Sequence, residues 1–367
     1  MKCDYYQLAV PGVKGLMPYL PGKPVGELQR ELGIDSIVKL ASNENPLGLS
    51  AKVVSAIQSE LGEGCRYPDG GGVLLKQQLA QHLSISAAQI TLGNGSNDVL
   101  DLVARVFLNE DSEAVFSQHA FAVYPIVTQA VGAQAVVTPA KDWGHDLEAM
   151  AAAVTDRTRV VFLANPNNPT GTWFSRQALL AFLDSVPESV IVVLDEAYTE
   201  YVDQAEFPDG VALLADYPNL IVTRTFSKAY GLASLRVGYA LSSPEIADLL
   251  NRVRQPFNVN SFALAAASAV LTDDVYLRRG RETNDQGMLQ FQAGFEQLGL
   301  DYIPSVANFI SVDVGRDAMP VYQALLHEGV IVRPVGNYQM PEHLRISIGL
   351  KQENQRCLLA LAKVLQL

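Results

Sequence analysis

Two stretches decide how this chain folds: Val190-Ile191-Val192-Val193-Leu194-Asp195-Glu196-Ala197-Tyr198 and Asn219-Leu220-Ile221-Val222-Thr223-Arg224-Thr225-Phe226-Ser227-Lys228. In each, a short run of mostly β-branched apolar residues gives way to polar chemistry. Runs that are nearly continuous, without strict alternation, belong to strands covered on both faces, as in a parallel sheet lying between helices. Open sheets of this kind bind ligands beyond the carboxyl ends of their strands. The first run ends at an acid, Asp195. The second ends in hydroxyls and a lysine, Thr225, Ser227 and Lys228.

Working outward, similar runs occur at 90–92, 113–117, 134–138, 159–164 and 236–241. Helical patterns lie between them. Val73, Leu74, Leu75, Leu79 and Leu83 share one face, and Val99, Leu100, Val103, Val106 and Phe107 share another. Strand alternating with helix predicts an α/β fold whose large domain carries a mostly parallel sheet. Beyond it an Ala-rich helix is expected from Phe262 to Leu271, continuing past Tyr276. Strands at 309–314 and 344–348 and a last helix through Leu358, Leu361 and Leu365 predict a smaller α+β domain. The first fifty residues hold Pro11-Gly12, Pro21-Gly22, Lys23-Pro24 and Asn45-Pro46, and read as an arm with one helix near 25–32. The expected division is an arm over 1–48 packing with the small domain, a large domain over 49–255 and a small domain over 256–367.

Composition narrows the function. Of 367 residues, 49% are hydrophobic and 18% charged, enough apolar material for a large core and too much for a disordered chain. The net charge of −12 disfavours general binding to nucleic acid or to an anionic membrane surface. Three dispersed cysteines, Cys3, Cys65 and Cys357, fit neither a disulfide framework nor a zinc cluster, and a reducing cytoplasm is the simplest reading. No signal peptide is expected at the N-terminus, and no apolar run reaches the ~18 residues of a membrane span.

Four motifs follow the strands. Gly93-Asn94-Gly95-Ser96-Asn97-Asp98 opens an amphipathic helix; its glycines allow close backbone approach, Ser96 or Asn97 can cap the helix, and free N–H groups there suit a phosphate. Asn165-Pro166-Asn167-Asn168-Pro169-Thr170-Gly171 makes a rigid turn able to aim an Asn amide. Asp195 can hold a protonated ring nitrogen or a metal; with no His or Cys spaced nearby, the ring nitrogen is favoured and no metal is expected. Lys228 in its hydroxyl-flanked turn has the setting of a Schiff-base lysine, with Thr225, Ser227 and downstream Arg236 as phosphate ligands. Each motif alone has an ordinary structural explanation. All four together, each following a strand of one sheet, are improbable by chance.

In these motifs the chain resembles the fold-type I aminotransferases that use pyridoxal 5'-phosphate (PLP), over nearly its whole length. Among them it is most similar to the histidinol-phosphate aminotransferase subfamily, in Pro18-Tyr19, Pro21-Gly22-Lys23-Pro24, Ser42-Asn43-Glu44-Asn45-Pro46-Leu47-Gly48, Arg66-Tyr67-Pro68-Asp69-Gly70, Gln255-Pro256-Phe257-Asn258-Val259-Asn260 and Leu344-Arg345-Ile346-Ser347-Ile348-Gly349. The resemblance implies that Lys228 carries the cofactor and shuttles the proton, that Asp195 pairs with the pyridinium nitrogen, and that Asn168 and Tyr198 bind the ring hydroxyl. It implies that Gly95, Ser96, Asn97, Thr225, Ser227 and Arg236 surround the cofactor phosphate. Phe121 takes the position of the ring that stacks on PLP, with Tyr124 as the alternative. Tyr67 would reach the phosphate from a partner subunit, which implies a homodimer.

On the substrate side the resemblance implies Arg345 as the anion ligand, able to take a carboxylate or a phosphate through its planar fork. Arg333 is a second candidate, Tyr19 would close over the phosphate from the arm, and Asn43 and Asn308 are further candidates. The implied reaction is transamination of L-histidinol phosphate with 2-oxoglutarate, giving imidazole-acetol phosphate and L-glutamate, with the reverse direction serving histidine biosynthesis. An aromatic amino-acid aminotransferase would keep the same cofactor residues. A non-catalytic PLP-binding module is the rival of a different class, and no basic helix-turn-helix extension accompanies this chain to support it.

Overall fold

A computed structural model describes residues 3–18 and 22–367. Seven strands form the main sheet: β1 (Ile90–Gly93), β2 (Glu113–Ser117), β3 (Gln134–Thr138), β4 (Thr158–Ala164), β5 (Ile191–Asp195), β6 (Leu220–Thr225) and β7 (Gly238–Leu241), in the order β1-β7-β6-β5-β4-β2-β3. Only β7 runs against the rest, pairing antiparallel with both β1 and β6. The expected α/β class with a mostly parallel sheet is what the chain adopts.

The continuous apolar runs have the predicted cause. In β4 and β5, Leu163 and Leu194 enter one helical layer with Leu79, Leu179 and Ala267. Their neighbours Phe162 and Val193 enter the other, with Val99, Leu100 and Leu250. Period-two geometry sends successive side chains to opposite faces, so a strand between two helical layers must be apolar at every position. The exception is β3, which lies at the sheet edge with Gln134, Ala135 and Val137 exposed. Its β-branched run resembled a doubly covered strand although one flank lacks a neighbour.

Three expected elements differ. The strand expected from residue 236 starts at Gly238, because Arg236 takes a left-handed φ of 57°. The helix expected to continue past Tyr276 is two helices, α3 (Ser261–Val270) and α4 (Asp274–Leu298). Asp273 divides them, its carboxylate accepting the Tyr276 N–H as an N-cap. Helix α1 (Ser96–Phe107) is capped by neither Ser96 nor Asn97. Its N-cap is Gly95, with no side-chain cap bond.

The second sheet, β8 (Tyr302–Ile303), β9 (Phe309–Asp313), β10 (Arg333–Pro334) and β11 (His343–Ser347), has the order β8-β9-β11-β10 and is wholly antiparallel. With α4 and the final helix α5 (Lys351–Leu365) it encloses a separate core of Phe291, Phe295, Ile310, Val312, Leu344, Ile346 and Leu361. Val38 and Leu40 of the arm join that core, and Val38–Lys39 pairs parallel with Val330–Ile331. Residue 12 lies instead against Gln129 and Gly132 of the large domain. The expected break at 256 falls before a segment whose Val259, Ala263, Ala267, Val270 and Tyr276 pack into the large core. Helix α4 then spans the two cores, with Tyr276 in one and Phe291 in the other.

Candidate active site

The carboxyl ends of β4, β5 and β6 meet the arm and β11 around one cleft. It is lined by Asn43, Ser96, Asn97, Phe121, Asn168, Asp195, Tyr198, Thr225, Ser227, Lys228, Arg236, Arg333 and Arg345, among others. Thirteen candidates scattered over three hundred residues of sequence thus converge on one cavity.

Lys228 is three residues beyond the end of β6. Its Nζ donates to the Ser42 carbonyl at 3.0 Å and lies 5.7 Å from the centroid of the Tyr198 ring. Burial, and then the positive charge of Arg345, pull its pKa down to about 7. A sizeable neutral fraction then exists near neutral pH, which a nucleophile and proton carrier needs.

Asp195 closes β5 and is buried. Its Oδ2 accepts the Tyr124 hydroxyl and its Oδ1 the Thr223 hydroxyl, each at 2.9 Å. Burial raises its pKa to about 6 against the opposing pull of these two hydrogen bonds. No cation contacts it among the described residues, although three guanidinium groups, of Arg236, Arg333 and Arg345, lie elsewhere in the cleft. A buried carboxylate with only neutral donors is poised to receive a cationic N–H.

At one end of the cleft Arg236 donates to Ser227 Oγ at 3.1 Å, and the Ser227 N–H donates to Thr225 Oγ1 at 3.1 Å. Gly95 has φ 81°, and a Cβ there would lie 2.3 Å from Arg236 Nη2. Glycine therefore lets the start of α1 close on the guanidinium. N-terminal amides, two hydroxyls and an arginine form an anion cradle.

At the other end Arg345, buried in the middle of β11, donates to Asn168 Oδ1 and to the Ala41 carbonyl, the latter at 2.9 Å. Its Nε is buried without a hydrogen-bond partner among the described residues. The guanidinium lies 5.4 Å from the Phe309 ring centroid. Asn168 sits in a turn whose Asn165-Pro166 and Asn168-Pro169 peptides are both cis. Asn43 Nδ2 donates to the Tyr198 hydroxyl at 3.0 Å, and burial lifts the Tyr198 pKa to about 12. Arg333 completes this end.

The remaining candidates lie elsewhere. Asn308 is behind the wall, its Nδ2 donating to the Asn43 carbonyl at 3.0 Å. Tyr67 is 81% exposed and stacks on Phe257 at 4.6 Å, outside the cleft lining. Tyr19 lies outside the described residues. Of the two aromatic alternatives, Phe121 lines the cleft and Tyr124 is buried behind it.

Sequence reasoning missed four contributors, Thr223, Tyr124 and the pair Glu196 and Arg224. Thr223 shares a strand face with Thr225, and that parity was the available signal. The hydroxyl role of Tyr124 had none. Glu196 and Arg224, one residue on from Asp195 and Thr223, point to the opposite face and pair there, with Nε to Oε2 at 2.8 Å. That buried pair ties the ends of the two strands that deliver Asp195 and Lys228.

Among the described residues no group of His, Cys, Asp and Glu could hold a metal, and no helix is long and apolar enough to cross a membrane. The profile of the family "Aminotransferase class I and II" matches residues 35–361. "Histidinol-phosphate aminotransferase 2" of Pseudomonas fluorescens is 65% identical over 367 residues, spanning 100% of this chain and 99% of that protein. The protein of the same name from Pseudomonas aeruginosa is 66% identical over 364 residues, 99% of each. The solved histidinol-phosphate aminotransferase of Sinorhizobium meliloti, in complex with pyridoxal-5'-phosphate, superposes with a TM-score of 0.90 at 32% identity over 97% of both chains. Agreement of this closeness over the full length, joined to the cleft just described, means that the chain belongs to the histidinol-phosphate aminotransferases, within the class I and II aminotransferase family.

Proposed function

We propose that this chain, with pyridoxal 5'-phosphate bound, transfers the amino group between L-histidinol phosphate and 2-oxoglutarate, giving imidazole-acetol phosphate and L-glutamate, and runs in reverse for biosynthesis. The observation that carries the reading is a lysine of depressed pKa set between two anion-binding ends. One end suits a cofactor phosphate and the other a substrate phosphate or carboxylate.

The residues fit the cofactor. The cradle of Ser96, Asn97, Thr225, Ser227 and Arg236 against Gly95 offers amide, hydroxyl and guanidinium donors to a phosphate. Asp195 offers a buried carboxylate that lacks a cationic partner to a protonated ring nitrogen. Tyr198 and Asn168 would flank the ring hydroxyl, and Phe121 would cover the ring face. Bound there, PLP supplies the electron sink that makes loss of a proton from the amine-bearing carbon accessible.

The chain does the rest. Lys228 Nζ, partly neutral near pH 7, takes the proton from the substrate carbon and returns it on the other side of the transfer. Asp195 holds the ring-nitrogen proton in place during that transfer. Arg345, with Arg333 nearby, fixes the substrate anion so that the reacting carbon stays within reach of Lys228. One planar fork accommodates the glutamate carboxylate and the histidinol phosphate group in turn, so a single site serves both substrates. Desolvation inside the cleft strengthens each of these charge contacts.

The same reading includes a homodimer in which Tyr67 approaches the phosphate of the other subunit. Its support is the exposed Tyr67–Phe257 stack, an apolar surface left uncovered among the described residues.

The test is a single-turnover absorbance titration of the cofactor-loaded protein with L-histidinol phosphate, phenylalanine, tyrosine and glutamate separately. Histidinol phosphate should deplete the visible absorbance of the bound cofactor at far lower concentration than the aromatic acids. Equal or better response to the aromatic acids would replace the substrate and keep the scaffold. Absence of any cofactor band would remove the whole reading.

A further inference from the structure

Tyr124 touches two of the groups that face the cofactor end of the cleft, yet the mechanism leaves its hydroxyl unused. It lies on α2 (Val123–Ala130) and is fully buried. Its ring stacks on Phe162 of β4 at 4.8 Å with the planes 6° apart, which fixes it against the sheet. Its other side meets Phe121 edge-on, 5.8 Å away at 86°. From that position the hydroxyl reaches Asp195 Oδ2 at 2.9 Å, while Thr223 on β6 serves Oδ1 at 2.9 Å.

We propose that Tyr124 is a positioning residue of the cofactor end: its hydroxyl, opposed by that of Thr223, fixes the plane of the Asp195 carboxylate, and its ring sets the tilt of Phe121. The proposal rests on Asp195 being the partner of the ring nitrogen.

The chemistry favours hydroxyls for this work. A carboxylate accepts at about four lone-pair positions, two on each oxygen. One donor per oxygen, arriving from two different elements, removes the freedom to swivel and leaves the outward lone pairs for a ligand. A lysine or arginine in place of Tyr124 would neutralise Asp195 and weaken its hold on a protonated ring. Neutral donors stabilise the anion without discharging it. Tyr124 stays such a donor at any working pH, because burial holds its pKa well above the usual phenol value. The other titratable groups around Asp195 are Glu196 and Tyr198 on its own chain continuation and Lys228 across the cleft. Glu196 already belongs to Arg224, and Tyr198 to Asn43. Beside the Ala197 backbone N–H, Tyr124 and Thr223 are therefore the side chains left to control the carboxylate.

The experiment compares wild type, Tyr124→Phe and Thr223→Val in two forms. In the cofactor-free protein, thermal unfolding is followed from about pH 4 to 8. Asp195 has a raised folded pKa of about 6, so its stabilising contribution is present at low pH and is lost as pH rises through that value. Removing a hydroxyl that favours the anion raises the folded pKa further, so in both variants the decline should extend to higher pH. In the loaded protein, the dissociation constant for PLP should rise about ten-fold, and kcat should fall by more than KM changes. A merely structural role would lower the unfolding temperature equally at every pH. That result, or unaltered pH profile and PLP affinity, overturns the proposal. If wild type itself binds no PLP, the reading of the site has failed, and the cofactor-free pH profile still decides whether Tyr124 governs Asp195.

Discussion

The two ends of the cleft are built in different ways. The cofactor end comes from the carboxyl edge of one sheet, with Asp195, Thr225, Ser227 and Lys228 within a residue or a few of a strand terminus. Most of its hydrogen bonds are short-range or between neighbouring strands, such as Thr223 to Asp195 and Arg236 to Ser227, with Tyr124 to Asp195 and Lys228 to Ser42 as the exceptions. The substrate end is assembled from afar. Arg345 reaches Ala41 across 304 residues, and Ser347 Oγ receives the Asn43 N–H at 2.7 Å across the same separation. Two buried polar atoms there, Arg345 Nε and Asn308 Oδ1 behind the wall, have no partner among the described residues. Buried polar atoms are costly to leave unpaired unless something else binds them. One end is a finished part of a rigid sheet; the other is a junction between arm, small domain and turn.

If that contrast is real, variants at the two ends should fail differently. The largest effect belongs to Lys228→Ala, which should cut turnover about ten-thousand-fold or more and abolish the visible absorbance of bound cofactor. An unaltered spectrum would remove Lys228 from its role. Its depressed pKa also makes the cofactor-free protein gain stability as pH rises from about 7 toward the ordinary lysine value, because the unfolded chain binds the proton that the folded one has released. Lys228→Ala should erase that rise in thermal unfolding.

Asp195→Asn comes next. Turnover should fall about a hundred- to thousand-fold, while cofactor-free protein becomes no less stable at pH 8, because a buried, uncompensated carboxylate has been removed. Loss of activity together with unchanged or increased stability is the mark of a group held for chemistry. Near-normal turnover would contradict the pairing with the ring nitrogen. At the opposite end Arg345→Lys keeps the charge but loses the fork that serves Asn168 and Ala41. kcat/KM for both histidinol phosphate and glutamate should drop about ten- to a hundred-fold, with cofactor affinity changing far less. Loss for only one substrate would separate their anion sites and break the single-fork account.

The same contrast explains what could be read in advance. Strand ends carry their own signal. The run expected at 190–194 is found at Ile191–Asp195, and the one expected at 219–224 at Leu220–Thr225. Strand ends of a parallel sheet open into the crevice at its carboxyl edge, which brings Asp195, Tyr198, Thr225, Ser227 and Lys228 there. Arg345 carries no such mark. It interrupts an apolar strand, Leu344-Arg345-Ile346, and its company is set by an arm three hundred residues earlier. Only resemblance pointed to it. The break between α3 and α4 was written in Asp273, a capping residue, but the surrounding alanines and the apolar spacing of Tyr276 masked it. The role of Tyr124 was hidden because its hydroxyl meets Asp195 through the packing of a helix on the sheet, which no local pattern encodes.

The smallest expected effect concerns Phe121, and it sharpens the distinction between the ring that faces the cleft and the ring behind it. Phe121 is partly buried, lines the cleft and leans edge-on against Tyr124. Stacking depends on the aromatic face, so Phe121→Tyr should alter kcat/KM by no more than about three-fold. Phe121→Leu removes the face and keeps comparable apolar bulk. It should weaken cofactor binding about ten-fold while leaving the fold intact, because the residue belongs to the cleft wall and not to the fully buried core. Tyr124→Leu, by contrast, should disturb folding itself, since that ring is fully buried against Phe162. Cofactor titrations and thermal unfolding on the three proteins measure the difference. Should Phe121→Leu unfold as readily as Tyr124→Leu, the two rings form one structural unit and the division between wall and support is wrong. Should Phe121→Leu bind PLP as tightly as wild type, Phe121 covers nothing the cofactor needs.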